Sequence, residues 1–409
     1  MIRSVQMTDK LNLFSTEQKL SIHKVLIGDN AIVLKDFEKD SVDFIYIDPP
    51  YNTSNKFSYN DTNDKWSEDI CLRLNLSKEI LKKTGVICIS IDDNELANLL
   101  HICYSVFNKK NYVGTFITRQ AQRSNAKHIN TTHEYIVVFA KSKKDLPDFF
   151  IKRINIPEEN DMIQNILHKV SVSFKQNKQE AIETLKKLIN KYSLERNISW
   201  IKNYSNIDDN GRVFFAKDLS TPSAPSALTI DEINLVLPAL KTRGWSSKEK
   251  FIKLYKQNRL CFKQGRPYEI QYLEESVDNV PSILNFYSRQ GTNDLKKLGL
   301  HGVFDTPKPV ELIKFLIRAT MHKDATILDF YAGSGTTGQA VYEINKEDNR
   351  KHKFILVQQK ENIIKSTPVY SELTKLGIED PTVADVLLLR LKTFLNINHL
   401  DVDFEIKEF

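Results

Sequence analysis

The sequence predicts an α/β fold, with strands of a mostly parallel sheet and covering helices at both ends of the chain and a less regular middle. Three observations lead there. Short apolar runs alternate with helical periods at both ends of the 409 residues, the pattern of strands covered by helices on both faces. The middle loses that alternation. The positive charge also belongs to the middle: residues 143–300 hold 26 Lys+Arg against 19 Asp+Glu, a net of +7 within a chain total of +6.

In order, the N-terminal strands are KVLIGD (24–29), VDFIYID (42–48), GVICISID (85–92), YVGTFIT (112–118) and EYIVVFAK (134–141). Each is an apolar run bounded by polar or glycine punctuation, as a strand buried on both faces requires. LRLNLSKEILKKTG (72–85) carries a helical period that Gly85 closes at a C′-like position. The C-terminal part repeats the style. PVELIKFLIRAT (309–320) reads as helix, ATILDF (325–330) as strand, GTTGQAVYEINK (335–346) as helix and KFILVQ (353–358) as strand. In the middle, QEAIETLKKLINKY (179–192) predicts a surface helix and STPSAPSALT (220–229) a loop. The proposed boundaries are 1–142, 143–300 and 301–409.

Composition narrows the classes. With 41% hydrophobic and 27% charged residues the chain has enough apolar material for a core. No run approaches the roughly 18–20 apolar residues of a membrane helix, and MIRSVQMTDKLNLFSTEQKL lacks the apolar block of a signal peptide. Cys71, Cys88, Cys103 and Cys261 show no metal-binding spacing. They predict no zinc site and a reducing, cytoplasmic setting.

The basic excess peaks in residues 241–266. There Lys241, Arg243, Lys248, Lys250, Lys253, Lys256, Arg259, Lys263 and Arg266 face the single acid Glu249, with Trp245, Phe251, Tyr255 and Phe262 interleaved. Two readings overlap. One is an amphipathic helix burying Phe251 and Tyr255 at i, i+4. The other is a surface that neutralises phosphates and stacks on bases.

Two motifs carry the chemistry. FIYIDPPYNTSN places Asp48, Pro49, Pro50 and Tyr51 at the carboxyl end of a strand, where ligands of open α/β sheets collect. The prolines stiffen the turn and leave carbonyls free to accept. A carboxylate, carbonyls and a ring together suit an exocyclic amine on a flat heterocycle; an Asp-Pro turn with a packed tyrosine remains the plain alternative. ILDFYAGSGTTGQAV (327–341) is a strand, a glycine turn and a helix. Such a turn admits a ligand close to the backbone. By itself it fits a nicotinamide site equally well, though the Lys-Ser/Thr pair of a P-loop is missing.

DPPY followed by (F/Y)xGxG resembles the S-adenosylmethionine-dependent amino-methyltransferases of DNA. The order of motifs is similar to the β group, which includes modification subunits of type III restriction systems. Further segments match in the family's order: IGDN (27–30), YNDTNDKW (59–66), GVICISIDDNE (85–95), NYVGTFITR (111–119), HEYIVVFAKS (133–142), DTPKPVELI (305–313) and DVDFEIKEF (401–409).

The resemblance implies that 1–142 and 301–409 build one doubly wound, mostly parallel, seven-stranded Rossmann-like methyltransferase sheet with a reversed final hairpin, around an inserted target-recognition domain. It implies double-stranded DNA as substrate and methylation of adenine N6, with Asp48 and Pro50 holding the amine of a flipped base and Tyr51 stacking on it. The same resemblance places S-adenosylmethionine against Tyr331, Ala332, Gly333, Ser334 and Gly335, with Thr336 and Thr337 following, Tyr331 standing where the family usually has Phe. Asp29 and Asn30 of IGDN would meet the cofactor's adenine. Lys308 would close the cofactor pocket, Asp329 would end the strand before it, and Glu361 would hold the ribose hydroxyls although VQQKE replaces the usual VQLPE. Lys241, Arg243, Lys248, Lys250, Lys253 and Lys256 would touch DNA. No metal is expected; a homodimer and a restriction subunit are expected partners. Cytosine-N4 methylation of DNA, amine methylation of RNA or of protein glutamine, and a catalytically silent DNA-binding subunit are the alternatives.

Overall fold

The computed structural model describes residues 23–409 apart from 54–56, 60, 62, 63, 120–127, 401 and 402. The leader reading of residues 1–20 and parts of NTSN, YNDTNDKW and DVDFEIKEF lie outside the described residues. The chain forms two compact units, residues 1–149 with 281–409, and residues 150–280. The expected insertion of 143–300 is therefore narrower at both ends, because residues 143–149 and 281–300 fall in the first unit.

In the first unit, β1 is His23–Ile27, β2 Val42–Ile47, β3 Leu81–Ile91, β4 Tyr112–Arg119 and β5 His133–Ala140. After the second unit come β6 Ile283–Tyr287, β7 Thr326–Asp329, β8 Lys353–Gln358 and β9 Phe404–Glu408. They form one sheet in the order β6-β4-β5-β3-β2-β7-β8-β1-β9. The described sheet thus has nine strands rather than seven, since β6 adds parallel to β4 and β9 parallel to β1 at the two edges. Among these nine, β5 alone runs against its neighbours.

Helices α1 Trp66–Ile80, α2 Leu96–Phe107, α3 Arg289–Lys297, α4 Val310–Thr320, α5 Thr336–Glu347 and α6 Val383–Ile397 belong to the same unit. The central strands are continuous apolar runs because both faces are covered: Phe44, Ile45 and Ile47 of β2 are fully buried. Each such side chain contributes about 1.5–3 kcal/mol of transfer free energy. Gly85 does not cap α1. The helix stops at Ile80, Leu81 pairs with Val42, and Gly85 lies inside β3. Pairing with β2, reinforced by Lys82 bound to both Asp43 oxygens at 2.9 and 2.8 Å, overrides the helical period of LKKTG.

The second unit has its own core. Helices Pro157–Gln176 and Lys178–Glu195 meet through Ile163, Ile166, Val170, Leu185 and Ile189; the side chain of Asn177 caps the second one. An antiparallel sheet runs in the order 260–263, 266–272, 213–218, 206–207. Of STPSAPSALT only the centre is loop, since Ser220–Thr221 and Leu228–Ile230 pair with Gly244–Trp245 and Leu235–Leu237. Helix Lys248–Lys256, capped by Ser247, buries Phe251 and Leu254 and leaves Tyr255 55% exposed. Its inward face thus has i, i+3 spacing, not the expected i, i+4. Residues 150–280 carry 21 Lys+Arg and 16 Asp+Glu, a net of +5, so the narrower unit still holds most of the excess.

Gly291 of α3 fixes a segment that matters below. A Cβ there would come within 1.8 Å of the Pro307 carbonyl oxygen and 2.9 Å of the Lys308 carbonyl carbon, so only glycine lets α3 lie against residues 307–308. Gly291→Ala should cost about 1–3 kcal/mol or more of stability through overpacking, read as a lower urea midpoint at unchanged slope.

Candidate active site

Parallel pairing of β2 with β7 sets Ile327 against Phe44 and Leu328 against Ile45. Their carboxyl ends therefore open side by side, one leading into Asp48-Pro49-Pro50-Tyr51 and the other into Asp329 and the glycine turn. A cavity of about 710 Å³ is lined by both motifs.

The DPPY turn is held from two sides. The Asp61 carboxylate accepts from the Tyr51 N–H at 2.9 Å, the Thr53 N–H at 2.8 Å and the Thr53 hydroxyl at 2.7 Å. Trp66 Nε1 donates to the Pro50 carbonyl at 2.6 Å. The expectation of a free Pro50 carbonyl is therefore corrected: one lone pair is taken by the indole, and only the second can serve a ligand. Asp61 and Trp66 both come from YNDTNDKW, a segment matched in sequence without any role assigned.

Lys308 sits among the DPPY groups. Its Nζ lies 2.7 Å from the Tyr51 hydroxyl, 2.9 Å from Glu134 Oε2 and 3.2 Å from Asp48 Oδ1. The Tyr51 hydroxyl donates to the same Asp48 Oδ1 at 2.8 Å, and the ammonium stands 4.9 Å from the centre of the Tyr51 ring. Burial pushes the Asp48 carboxyl above its ordinary value, Lys308 opposing and Glu134 adding to the rise. Burial acts to lower the Lys308 ammonium, but Asp48 and Glu134 outweigh it and hold the group well above its usual value. Glu134 was not singled out from sequence. It precedes Tyr135, which faces Ile91 across the reversed pairing of β5 with β3; only the reversal brings it to the carboxyl ends of the other strands.

Four N–H groups of the glycine turn are already engaged. The N–H groups of Tyr331, Ala332, Gly333 and Gly335 donate to Asp329 Oδ1, the Val357 carbonyl, Gln358 Oε1 and the Ala332 carbonyl. Gly333 and Gly335 have φ of +51° and +81°, the left-handed conformations that favour glycine. The Thr337 hydroxyl donates to Asp329 Oδ2 at 2.5 Å, and that of Thr336 to the Lys308 carbonyl at 3.3 Å. From behind, the buried Arg390 of α6 donates to Ser334 Oγ at 2.9 Å and Thr336 Oγ1 at 2.7 Å. Burial raises Asp329 to about 7 and Tyr331 to about 12.

The cavity wall includes Asp48, Asp329, Lys308, Tyr331, Ala332, Gly333, Ser334, Thr336, Thr337 and Glu361, but not Asp29, Asn30 or Gly335 among the described residues. Asp29 caps the following helical turn through Ala31 N at 2.7 Å and pairs with Arg73 at 3.3 Å. Asn30 binds the Phe330 carbonyl at 2.6 Å and accepts from Arg73 Nε at 2.5 Å. These two anchor the strand ends where a ligand role was expected. The described lining contains seven carboxylic residues and two basic ones, Arg289 and Lys308. That charge disfavours the pyrophosphate of a dinucleotide and suits a cation. The residues present therefore fit S-adenosylmethionine, whose sulfonium is positive.

In the second unit, Lys241, Arg243, Lys248, Lys253 and Lys256 are exposed, and Lys250 is half-buried against Glu269 at 3.0 Å. Arg243 donates to Ser220 Oγ at 2.8 Å. The segment is less unopposed than its sequence reads, because Arg259 pairs with Glu275 and Arg266 with Asp218, each at 2.7 Å.

A family profile described as DNA methylase matches residues 42–368, which include both motifs and Lys308. The chain belongs to that family. The methyltransferase family uses S-adenosylmethionine. The EcoPI Mod subunit of the type III restriction-modification enzyme of Escherichia phage P1 is 30% identical over 430 residues, covering 91% of this chain and 64% of that protein. The EcoP15I Mod subunit of Escherichia coli is 26% identical, covering 86% and 60%. Type II methyltransferase M.KpnI of Klebsiella pneumoniae is 26% identical, covering 90% and 86%. The chain thus spans under two thirds of the length of these two Mod subunits.

Asp329 gives the site a pH signature. With a folded-state value near 7 against 3.8 ordinarily, it keeps a proton that the unfolded chain releases. Stability should fall as pH rises from about 4 to about 7, by at most about 1.4 kcal/mol per pH unit from this group. Asp329→Asn should remove that part of the slope in urea titrations taken across the window.

Proposed function

We propose that this chain is a site-specific DNA methyltransferase that moves a methyl group from S-adenosylmethionine to the N6 amine of adenine, in a restriction-modification setting. One observation carries the reading: DPPY and the glycine turn line the same acidic cavity, so methyl acceptor and methyl donor share one chamber. Family membership and the names of its relatives support DNA as the substrate.

S-Adenosylmethionine supplies an electrophilic methyl on a positively charged sulfur. Left-handed Gly333 lets it approach the backbone, Tyr331 to Ser334 form the wall, and Glu361 would meet its hydroxyls. Asp48 accepts an N–H of the target amine and so orients the nitrogen lone pair, while the second lone pair of the Pro50 carbonyl remains for the other N–H. Such positioning is the main service a displacement at methyl carbon needs. Because an amine engaged in Watson–Crick pairing is out of reach, the base must leave the duplex; the turn held by Asp61 and Trp66 presents a rigid edge to receive it. The Asp at the first motif position favours adenine over cytosine. No helix of the described residues is long and apolar enough to cross a membrane. A restriction subunit, as in the type III enzymes of its relatives, and a second copy of the chain are the proposed partners.

Asp48→Ala should lower methyl transfer to DNA at least about a hundredfold, the scale for removing one transition-state contact, with S-adenosylmethionine affinity by calorimetry little changed. Digestion of product DNA made by the unaltered chain should yield N6-methyladenine. N4-methylcytosine would move the assignment to the other base, and unimpaired transfer by the Asp48 variant would refute the role of the motif.

For the second unit, Lys253 and Lys256 are two exposed cations of the Lys248–Lys256 helix suited to a test, whereas Lys250 is engaged by Glu269. Replacing both with Gln should weaken binding of DNA irrespective of its sequence and reduce the salt slope by about two. Filter binding at several salt concentrations checks this.

A further inference from the structure

We propose that Lys308 is a positioning residue: it holds the Asp48 carboxylate as an anion, anchored through Oδ1, so that Oδ2 is left to accept from the target amine. This deepens the methyltransferase reading and rests on it for the role of the amine.

The geometry separates the two oxygens of Asp48. Oδ1 takes both the Tyr51 hydroxyl at 2.8 Å and the Lys308 ammonium at 3.2 Å, whereas Oδ2 has no hydrogen bond among the described residues. The side chain is about a quarter exposed and lines the cavity. An anchored oxygen fixes the plane of the carboxylate, which points the other oxygen without a rotamer search.

Charge matters as much as aim. A carboxylic acid offers a donor where the amine needs an acceptor. Burial raises Asp48 toward the acid form, and Glu134 adds to that rise. The groups that act on it are Tyr46 of β2, Tyr51, Tyr59, Glu134 of β5, Asp329 of β7 and Lys308. Of these only Lys308 carries positive charge. It divides that charge between Asp48 and Glu134, and the Thr336 hydroxyl on its carbonyl ties the same residue to the glycine turn.

The expectation of Lys308 as a closure of the cofactor pocket thus becomes a different role. An opposite charge at this distance lowers a carboxyl by about 1–3 pH units, so its loss raises Asp48 by that much. The acid then protonates as pH falls, and transfer is lost at a higher pH than before.

The test uses the full chain with two readouts. The first is a titration of the Asp48 carboxyl by carbon-13 NMR without DNA, assigned by its absence from Asp48→Asn. The second is the single-turnover rate of methyl transfer against pH. In Lys308→Met both the carboxyl midpoint and the acid limb of the rate should rise by about 1–3 units, whereas Lys308→Arg should keep both near the wild type. Glu134→Gln removes the carboxylate that opposes ionisation, so it should lower the midpoint. An unmoved midpoint in Lys308→Met, or a raised one in Glu134→Gln, overturns the proposal; the Glu134 arm decides if Lys308→Met fails to fold. A midpoint that moves as stated in a chain that transfers no methyl to DNA would sustain the hold of Lys308 on Asp48 and fail the methyltransferase reading instead.

Discussion

The site depends on one pairing, that of β2 with β7. These strands are separated by nearly three hundred residues, including the whole second unit, yet they are parallel neighbours at the centre of the sheet. Parallel strands end at the same edge, so the loop after each must share one crevice. A long insertion between them costs little extra chain entropy, because closure scales only with the logarithm of loop length and residues 150–280 form a compact unit of their own.

Around that crevice, polar groups are spent on holding the backbone before any ligand is considered. Asp61, Trp66, Thr337 and Arg390 bind turn atoms. A buried polar group left without a partner costs about 1–3 kcal/mol, so these contacts help to hold the two turns in shape, although Arg390 Nη2 finds no partner among the described residues. The net result is a rigid, acid-rich wall in which Lys308 is one of two described basic residues. Such a wall disfavours phosphate and favours a positive group, a conclusion the glycine motif alone could not reach.

Much of the fold was legible because central strands of a parallel sheet are apolar on both faces. VDFIYID, ATILDF and KFILVQ stood out for that reason, and each is a strand. The same logic failed at the edges. Strand β6 and the strand pairs around STPSAPSALT are short and partly exposed, so no long apolar run marked them. Gly85 failed for a different cause: a helical period ran on past Ile80, and tertiary pairing with Val42 decided otherwise. For the Lys248–Lys256 helix the period was right and the buried pair wrong, since Leu254 rather than Tyr255 reaches its core.

By itself, the sequence determined the strand cores, the two motifs and the family, because these are local patterns whose residue types follow from burial or turn geometry. It also located the basic excess, which is a matter of counting. The partners were decided only in three dimensions. That Lys308 meets Asp48, that Glu134 arrives from the reversed β5, that Asp29 and Asn30 turn to Arg73, and that Trp66 occupies the Pro50 carbonyl are all contacts between distant segments. They depend on strand order and direction, which a single sequence leaves unstated because hydrogen-bond pairing in a sheet is not written in either strand alone.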